Sequence, residues 1–159
     1  MPTSRHHLAQ LNIGRLRAPL DDPSMADFAA ALPVINALAD ASPGFVWRLQ
    51  EEGADDATGL RPLDQPDVIV NLSVWTDVET LRAFTYHSAH LESLRRRREF
   101  FDHQGLPAYL VLWWVPAGHL PTVAEALQRL ELLAADGPGP RAFTFRETYP
   151  PPDCAAGPT

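Results

Sequence analysis

The chain has no lysine: all thirteen basic residues are Arg, and against twenty Asp and Glu they leave a net charge of −7. The absence of lysine reads as compositional bias of the genome rather than as chemistry. The deficit of positive charge matters more, because affinity for nucleic acid comes largely from cations meeting phosphates; no nucleic-acid partner is expected. Long hydrophobic runs are missing too. The longest, such as Leu110 to Val115, fall far short of the roughly 20 residues a membrane-spanning helix needs, and Met1 to His7 contains no apolar signal-peptide core. No membrane association is therefore expected, and the cytoplasm is the expected compartment. Cysteine is nearly absent: Cys154 alone can form neither an internal disulfide nor a Cys-based metal cluster. There is no Gly-rich phosphate loop, nucleophile elbow or zinc-hydrolase motif, which argues against nucleotide and acyl-enzyme chemistry.

What is present suits one ordinary globular domain. A chain of 159 residues, 45% hydrophobic and 21% charged, can bury roughly two thirds of its unfolded surface around a single core. The domain is expected over 7–149, between an N-terminal tail at 1–6 and a Pro-rich C-terminal tail at 150–159.

Residues alternate in hydrophobicity from His7 to Leu16, which predicts a half-buried strand. Pro23 and Ser24 open a helix with Phe28, Leu32, Ile35 and Ala39 at helical spacing, and Pro33 is expected to kink or split it. Ser42-Pro43-Gly44 stops it. Strands are expected at Phe45–Glu51 and Val68–Trp75, separated by a Gly/Asp-rich excursion from Glu52 to Pro66. Thr76 with Glu79 reads as a capping box opening a long helix from Asp77 to about Phe101. A fourth strand is expected from Pro107 to Val115. Thr122 with Glu125 forms a second capping box before a helix striped by Ala124, Leu127, Leu130 and Leu133, and Arg141–Glu147 is expected as a last short strand. This βαββαβ order, with an extra C-terminal helix and strand, predicts an α+β, ferredoxin-like domain.

Two helices of such a fold cover one sheet face, and the sequence suggests that they take the apolar one. The other face then carries Gln10 and Asn12, Arg48 and Gln50, Asn71, Ser73 and Trp75, and one of Trp113 or Trp114, since residues two apart in a strand share a side. Two readings of this polar and aromatic face stand: a homodimer interface, or a cleft, walled by this face and the second long helix, in which a few polar groups orient a small apolar or aromatic molecule.

Four segments resemble a known group of proteins: Ser42-Pro-Gly-Phe-Val-Trp-Arg-Leu49, Val74-Trp-Thr-Asp77 leading to Tyr86-His-Ser-Ala-His90, Trp113-Trp-Val-Pro-Ala-Gly-His119 with Pro121-Thr122, and Ala142-Phe-Thr-Phe-Arg146. Together they resemble a bacterial family of unknown function in the dimeric α/β-barrel superfamily, close to the antibiotic-biosynthesis-monooxygenase-like proteins. The resemblance covers about His7 to Pro152 and implies the fold, a dimeric α/β barrel, and a homodimer. It leaves the chemistry wide, because that superfamily includes cofactor-independent monooxygenases, cyclases, haem-degrading enzymes and binding modules. Haem-degrading members use a first-strand Asn, a Trp on the second long helix and a His further along. Asn12 fits, but Phe84 and Leu94 stand where the Trp and His would be, so no cofactor is expected, with haem as the alternative.

Among individual residues, His87 is the candidate general base, with Asn12 and Ser73 positioning the substrate. Trp75 and a tryptophan at 113 or 114 are candidate stacking partners. Arg48, Asn71, Tyr86 and His90 are further candidate ligand contacts. His119, in a loop before a helix, can face a cleft mouth or simply fix the loop. Arg95, in the run Arg95–Arg98, can hold an anionic group or complement the helix C-terminus. Tyr86 and Tyr109 can donate to a developing oxyanion. No metal site is expected, since no Cys or well-placed carboxylate completes a His87–His90 pair.

Overall fold

The computed structural model describes residues 5–50, 67–86, 97–102 and 108–152. The Glu52–Pro66 excursion, His87, His90, Leu94, Arg95 and Cys154 lie outside the described residues.

Strand β1 (His6–Leu16) is the centre of an antiparallel sheet. Along one edge it pairs with β3 (Val68–Trp75), from Leu8 opposite Trp75 to Arg15 opposite Val68. Along the other it pairs with β5 (Leu110–Pro116), from His6 opposite Pro116 to Asn12 opposite Leu110. The two-residue β4 (Phe101–Asp102) takes over that edge at Arg15 and Leu16, and β2 (Phe45–Arg48) lies outside β3. The order β2-β3-β1-β5 is that of a split βαβ sheet, so the chain is α+β and ferredoxin-like, as expected.

Helix α1 (Ala26–Asp40) follows a short 3₁₀ turn at Pro23–Met25, whose cap is Asp22. The Asp22 carboxylate accepts from the backbone amide and hydroxyl of Ser24, and these two hydrogen bonds hold its pKa below the usual aspartate value. Of the two outcomes expected at Pro33, a split does not occur: α1 runs through it as one helix. Helix α2 ends earlier than predicted, spanning Val78–Thr85 with Tyr86 as its C-cap, and a further helical segment, α3, is described at Arg97–Phe100. Its cap is Asp77, not Thr76; the Asp77 carboxylate accepts from the amide of Thr80 at 2.8 Å. Helix α4 (Val123–Asp136) is capped by Thr122 as predicted, but Arg141–Glu147 is no strand. Only isolated bridges form there, chiefly the reciprocal pair between Leu112 and Phe143.

The sheet faces are covered in the opposite sense to that predicted. Ala9, Leu11, Ile13, Val70, Leu72, Val74, Val111 and Trp113 pack in one cluster with Ala126, Leu130 and Leu133 of α4. The polar face instead lies beneath α1 and α2, where Gln10 is 4% exposed and Arg48 and Ser73 are 7% exposed. The physical reason is the handedness of the crossovers: β1-α1-β2 and β3-α2-β5 each join parallel strands across one intervening strand, and right-handed connections put both helices on the same side. The C-terminal helix, read from sequence as an addition, covers the remaining face. Among the described residues, the polar face of the sheet is therefore not left bare for a twin subunit to shield.

A bulge in β2 sets which of its side chains meet which layer. Phe45 pairs with Trp75, but Trp47 pairs with Val74 and Arg48 with Ser73, so Val46 is the extra residue. Phe45 and Arg48 thereby reach the same face although three apart. Before them, Gly44 turns the chain with φ of 82°, and a Cβ there would sit 2.5 Å from Thr80 of α2. Gly44→Ala therefore combines backbone strain with overpacking and is expected to cost about 2–4 kcal/mol. Urea denaturation checks this, and an unchanged midpoint would show that the turn tolerates a side chain.

Candidate ligand-binding and active site

Between the polar sheet face and the helices lies a cavity of about 410 Å³. Its floor is Gln10, Asn12, Asn71, Ser73 and Trp75; Phe28, Leu32, Ile35, Asn36 and Ala39 of α1 and Leu81, Phe84 and Thr85 of α2 form its walls. Arg48 and Phe45 close the β2 side, and Tyr86 and Tyr109, 56% and 44% exposed, stand at the opening.

The floor is a single hydrogen-bond network made by strand register. Gln10 lies opposite Ser73, and Asn12 opposite Asn71. The Gln10 amide nitrogen donates to Asn71 Oδ1 at 2.7 Å and to Ser73 Oγ at 2.8 Å. Asn12 Nδ2 donates to Gln10 Oε1 at 3.1 Å and to Asn71 Oδ1 at 3.3 Å. The backbone carbonyl of Asn71, 3.5 Å from the Gln10 nitrogen, fixes which end of that amide is the donor. Ser73 Oγ also accepts from the Trp75 indole at 2.9 Å. With both acceptor positions filled, the Ser73 hydroxyl has only its proton left to offer.

Trp75, 1% exposed, is held by rings as well: Phe84 stacks on it at 5.1 Å and Phe45 meets it edge-on at 5.4 Å. Arg48 is tied down by a two-point ion pair with Asp40 at the end of α1, Nε to Oδ1 at 2.8 Å and Nη2 to Oδ2 at 3.2 Å. It acts as a cationic side wall.

Of the residues singled out from sequence, Asn12, Arg48, Asn71, Ser73, Trp75 and Tyr86 line one space. Neither tryptophan of β5 does. Trp113 is on the opposite face, its indole donating to Glu125 Oε2 at 3.1 Å, and Trp114 turns its indole to the Tyr149 carbonyl at 2.8 Å. His119 is bonded to Glu125 Oε1 at 2.7 Å, at the start of α4 and away from the cavity. Glu125 thus serves Trp113 and His119 rather than closing the capping box on Thr122. Gln50 is exposed beyond β2.

Tyr109, named as a candidate oxyanion donor, lines the space as well. Three residues were missed as site candidates. Gln10 was seen only as part of a face. Asn36 and Phe28 line the space too, and Asn36 carried a signal: it is a polar residue four after Leu32 and three before Ala39, inside an apolar stripe. No histidine among the described residues lines the cavity, and none of their His, Cys, Asp and Glu cluster as a metal site would require. No described helix is long and apolar enough to cross a membrane.

A family model for a domain of unknown function, DUF3291, matches residues 7–157. The chain belongs to the DUF3291 family. No curated protein matches it. Among solved structures, this DUF3291 chain is similar to SnoaB, a cofactor-independent oxygenase from Streptomyces nogalater. The two are 19% identical with a TM-score of 0.50, over 75% of this chain and 100% of SnoaB. It is also similar to a protein from Nitrosomonas europaea provisionally assigned as an antibiotic biosynthesis monooxygenase, at 12% identity and TM-score 0.45, over 76% of this chain and 95% of the other. The SnoaB likeness is one of fold alone.

Gln10 is the hub on which the floor depends. Gln10→Leu removes three donor–acceptor pairs from a buried strip and is expected to cost about 1–3 kcal/mol. It also frees Ser73 to move. Chemical denaturation of the variant measures the cost; stability equal to wild type would mean that the amides are held independently.

Proposed function

We propose that this DUF3291 protein is a small-molecule enzyme of the cofactor-independent monooxygenase type, acting on a largely apolar, ring-bearing substrate in the cavity above β1 and β3. The observation that carries this reading is the cavity's construction: aromatic and aliphatic walls around one strip of hydrogen-bonding groups in mid-sheet. Such a space desolvates a substrate while a few polar atoms fix its orientation. The SnoaB likeness supports the fold on which the chemistry would be built.

In this class of reaction the substrate supplies the electrons. An acidic CH₂ beside a carbonyl loses a proton, and the enolate reduces O₂. The peroxide that forms on carbon then loses water, so that CH₂ and O₂ become C=O and H₂O. In this reading the Ser73 proton stabilises the enolate oxygen, Asn12 and Asn71 orient the ring system, and Trp75 supports it from the sheet. His87 is the proposed base. A homodimer, which the resemblance implies, belongs to this reading, and its contact surface is not the cavity face.

An enolisable tricyclic aryl ketone in air-saturated buffer tests the proposal. The protein is expected to accelerate oxygen uptake, and Ser73→Ala and Asn12→Ala are expected to lower that rate at least tenfold, about 1.4 kcal/mol of barrier. Binding of the ketone without oxygen uptake would instead identify a ligand-binding module that performs no turnover. A Soret band in protein purified from cells would replace both with haem binding.

A further inference from the structure

Asn36 is the one polar residue that α1 contributes to the cavity, and at 9% exposure it is almost wholly buried. No hydrogen bond among the described residues reaches its carboxamide. The floor amides differ, since Gln10, Asn12 and Asn71 are bonded to one another. A carboxamide that faces the cavity and is held by no protein group is not required by the fold, and an apolar residue of similar shape would serve the wall as well. The sequence of α1 offers every reason for one: Leu32, Ile35 and Ala39 surround the position on the same wall.

We infer that Asn36 is a specificity-determining residue, the wall-side hydrogen-bonding partner of the ligand in the same cavity whose floor presents the Ser73 hydroxyl. The ligand class follows. It is a neutral, mainly apolar molecule with an oxygen function for the Ser73 proton and a second hydrogen-bonding function for Asn36. A carboxamide both donates and accepts, so this second function can be a hydroxyl or a carbonyl. A pure hydrocarbon of the same size leaves Asn36 unpaired and is rejected, as polar sites reject analogues that lack the matching group. The inference rests on the cavity being a small-molecule site, and does not require turnover.

Two matched probes test it: naphthalene-2,6-diol, which carries an oxygen for Ser73 and a second for Asn36, and 2-naphthol, which carries only one, titrated by fluorescence into wild type and Asn36→Leu. Wild type is expected to prefer the diol at least tenfold. Asn36→Leu should erase that preference while melting no lower than wild type. Asn36→Ala, which cannot overpack, should lose the preference as well. A variant that melts lower and keeps the preference would overturn the inference and make Asn36 a structural residue. If wild type binds neither probe, the cavity reading fails and the inference with it. If wild type binds both probes equally, the cavity reading survives and the role of Asn36 is refuted.

Discussion

The site depends on a primary amide placed in the middle of the central strand. Gln10 pairs in register with Ser73 and sits two residues from Asn12, so its nitrogen and oxygen are committed to side chains on both strands. In a region shielded from water such a group is tolerated only when satisfied. Its satisfaction fixes everything near it. Ser73 is oriented by two incoming donors, Trp75 is anchored through Ser73, and Phe84 and Phe45 then pack on an indole that cannot turn.

The opposite face makes this arrangement affordable. Leu11, Val68, Leu72, Val74, Val111 and Trp113 are between 0% and 1% exposed, and α4 packs its stripe against them. Burial of that kind contributes roughly 1.5–3 kcal/mol per large aliphatic side chain, enough to offset a polar strip whose net contribution is small. One sheet therefore carries a dry, shape-determined side and a side held by specific hydrogen bonds, and only the second can read a ligand.

Much of this was legible in the sequence, for definite reasons. The two-residue period of β1 and β3 grouped Gln10, Asn12, Asn71, Ser73 and Trp75 correctly, because alternation survives any error in strand ends. What lay over that group was not legible: composition gives no handedness, and polar residues in a strand suggest an outward face, whereas the crossovers put both helices there. Trp113 and Trp114 illustrate a second limit. Adjacent residues must face opposite ways, but only the register with Leu8 and Ala9 decides which way, and packing of Trp114 against Phe143 and Tyr149 withdraws it from the cavity. The cap of α2 shows a third. Thr76 and Asp77 are both good caps, and Asp77 takes the role because Thr76 is bound back to Gly44 through its amide.

The size of the cavity bears on its state in the free protein. A void of about 410 Å³ kept empty, at ~24 cal/mol per Å³, would cost about 10 kcal/mol, which is comparable to the whole stability of an ordinary domain. A dry void is therefore untenable, and the polar floor, with Tyr86 and Tyr109 at its opening, admits water. Water there is well placed near Ser73 and Asn36 and poorly placed against Phe28, Leu32 and Phe84, where it lacks partners. A ligand that is apolar toward the rings and polar at those two points displaces the poorly held water and replaces the bonds of the rest, and that asymmetry is what selects it.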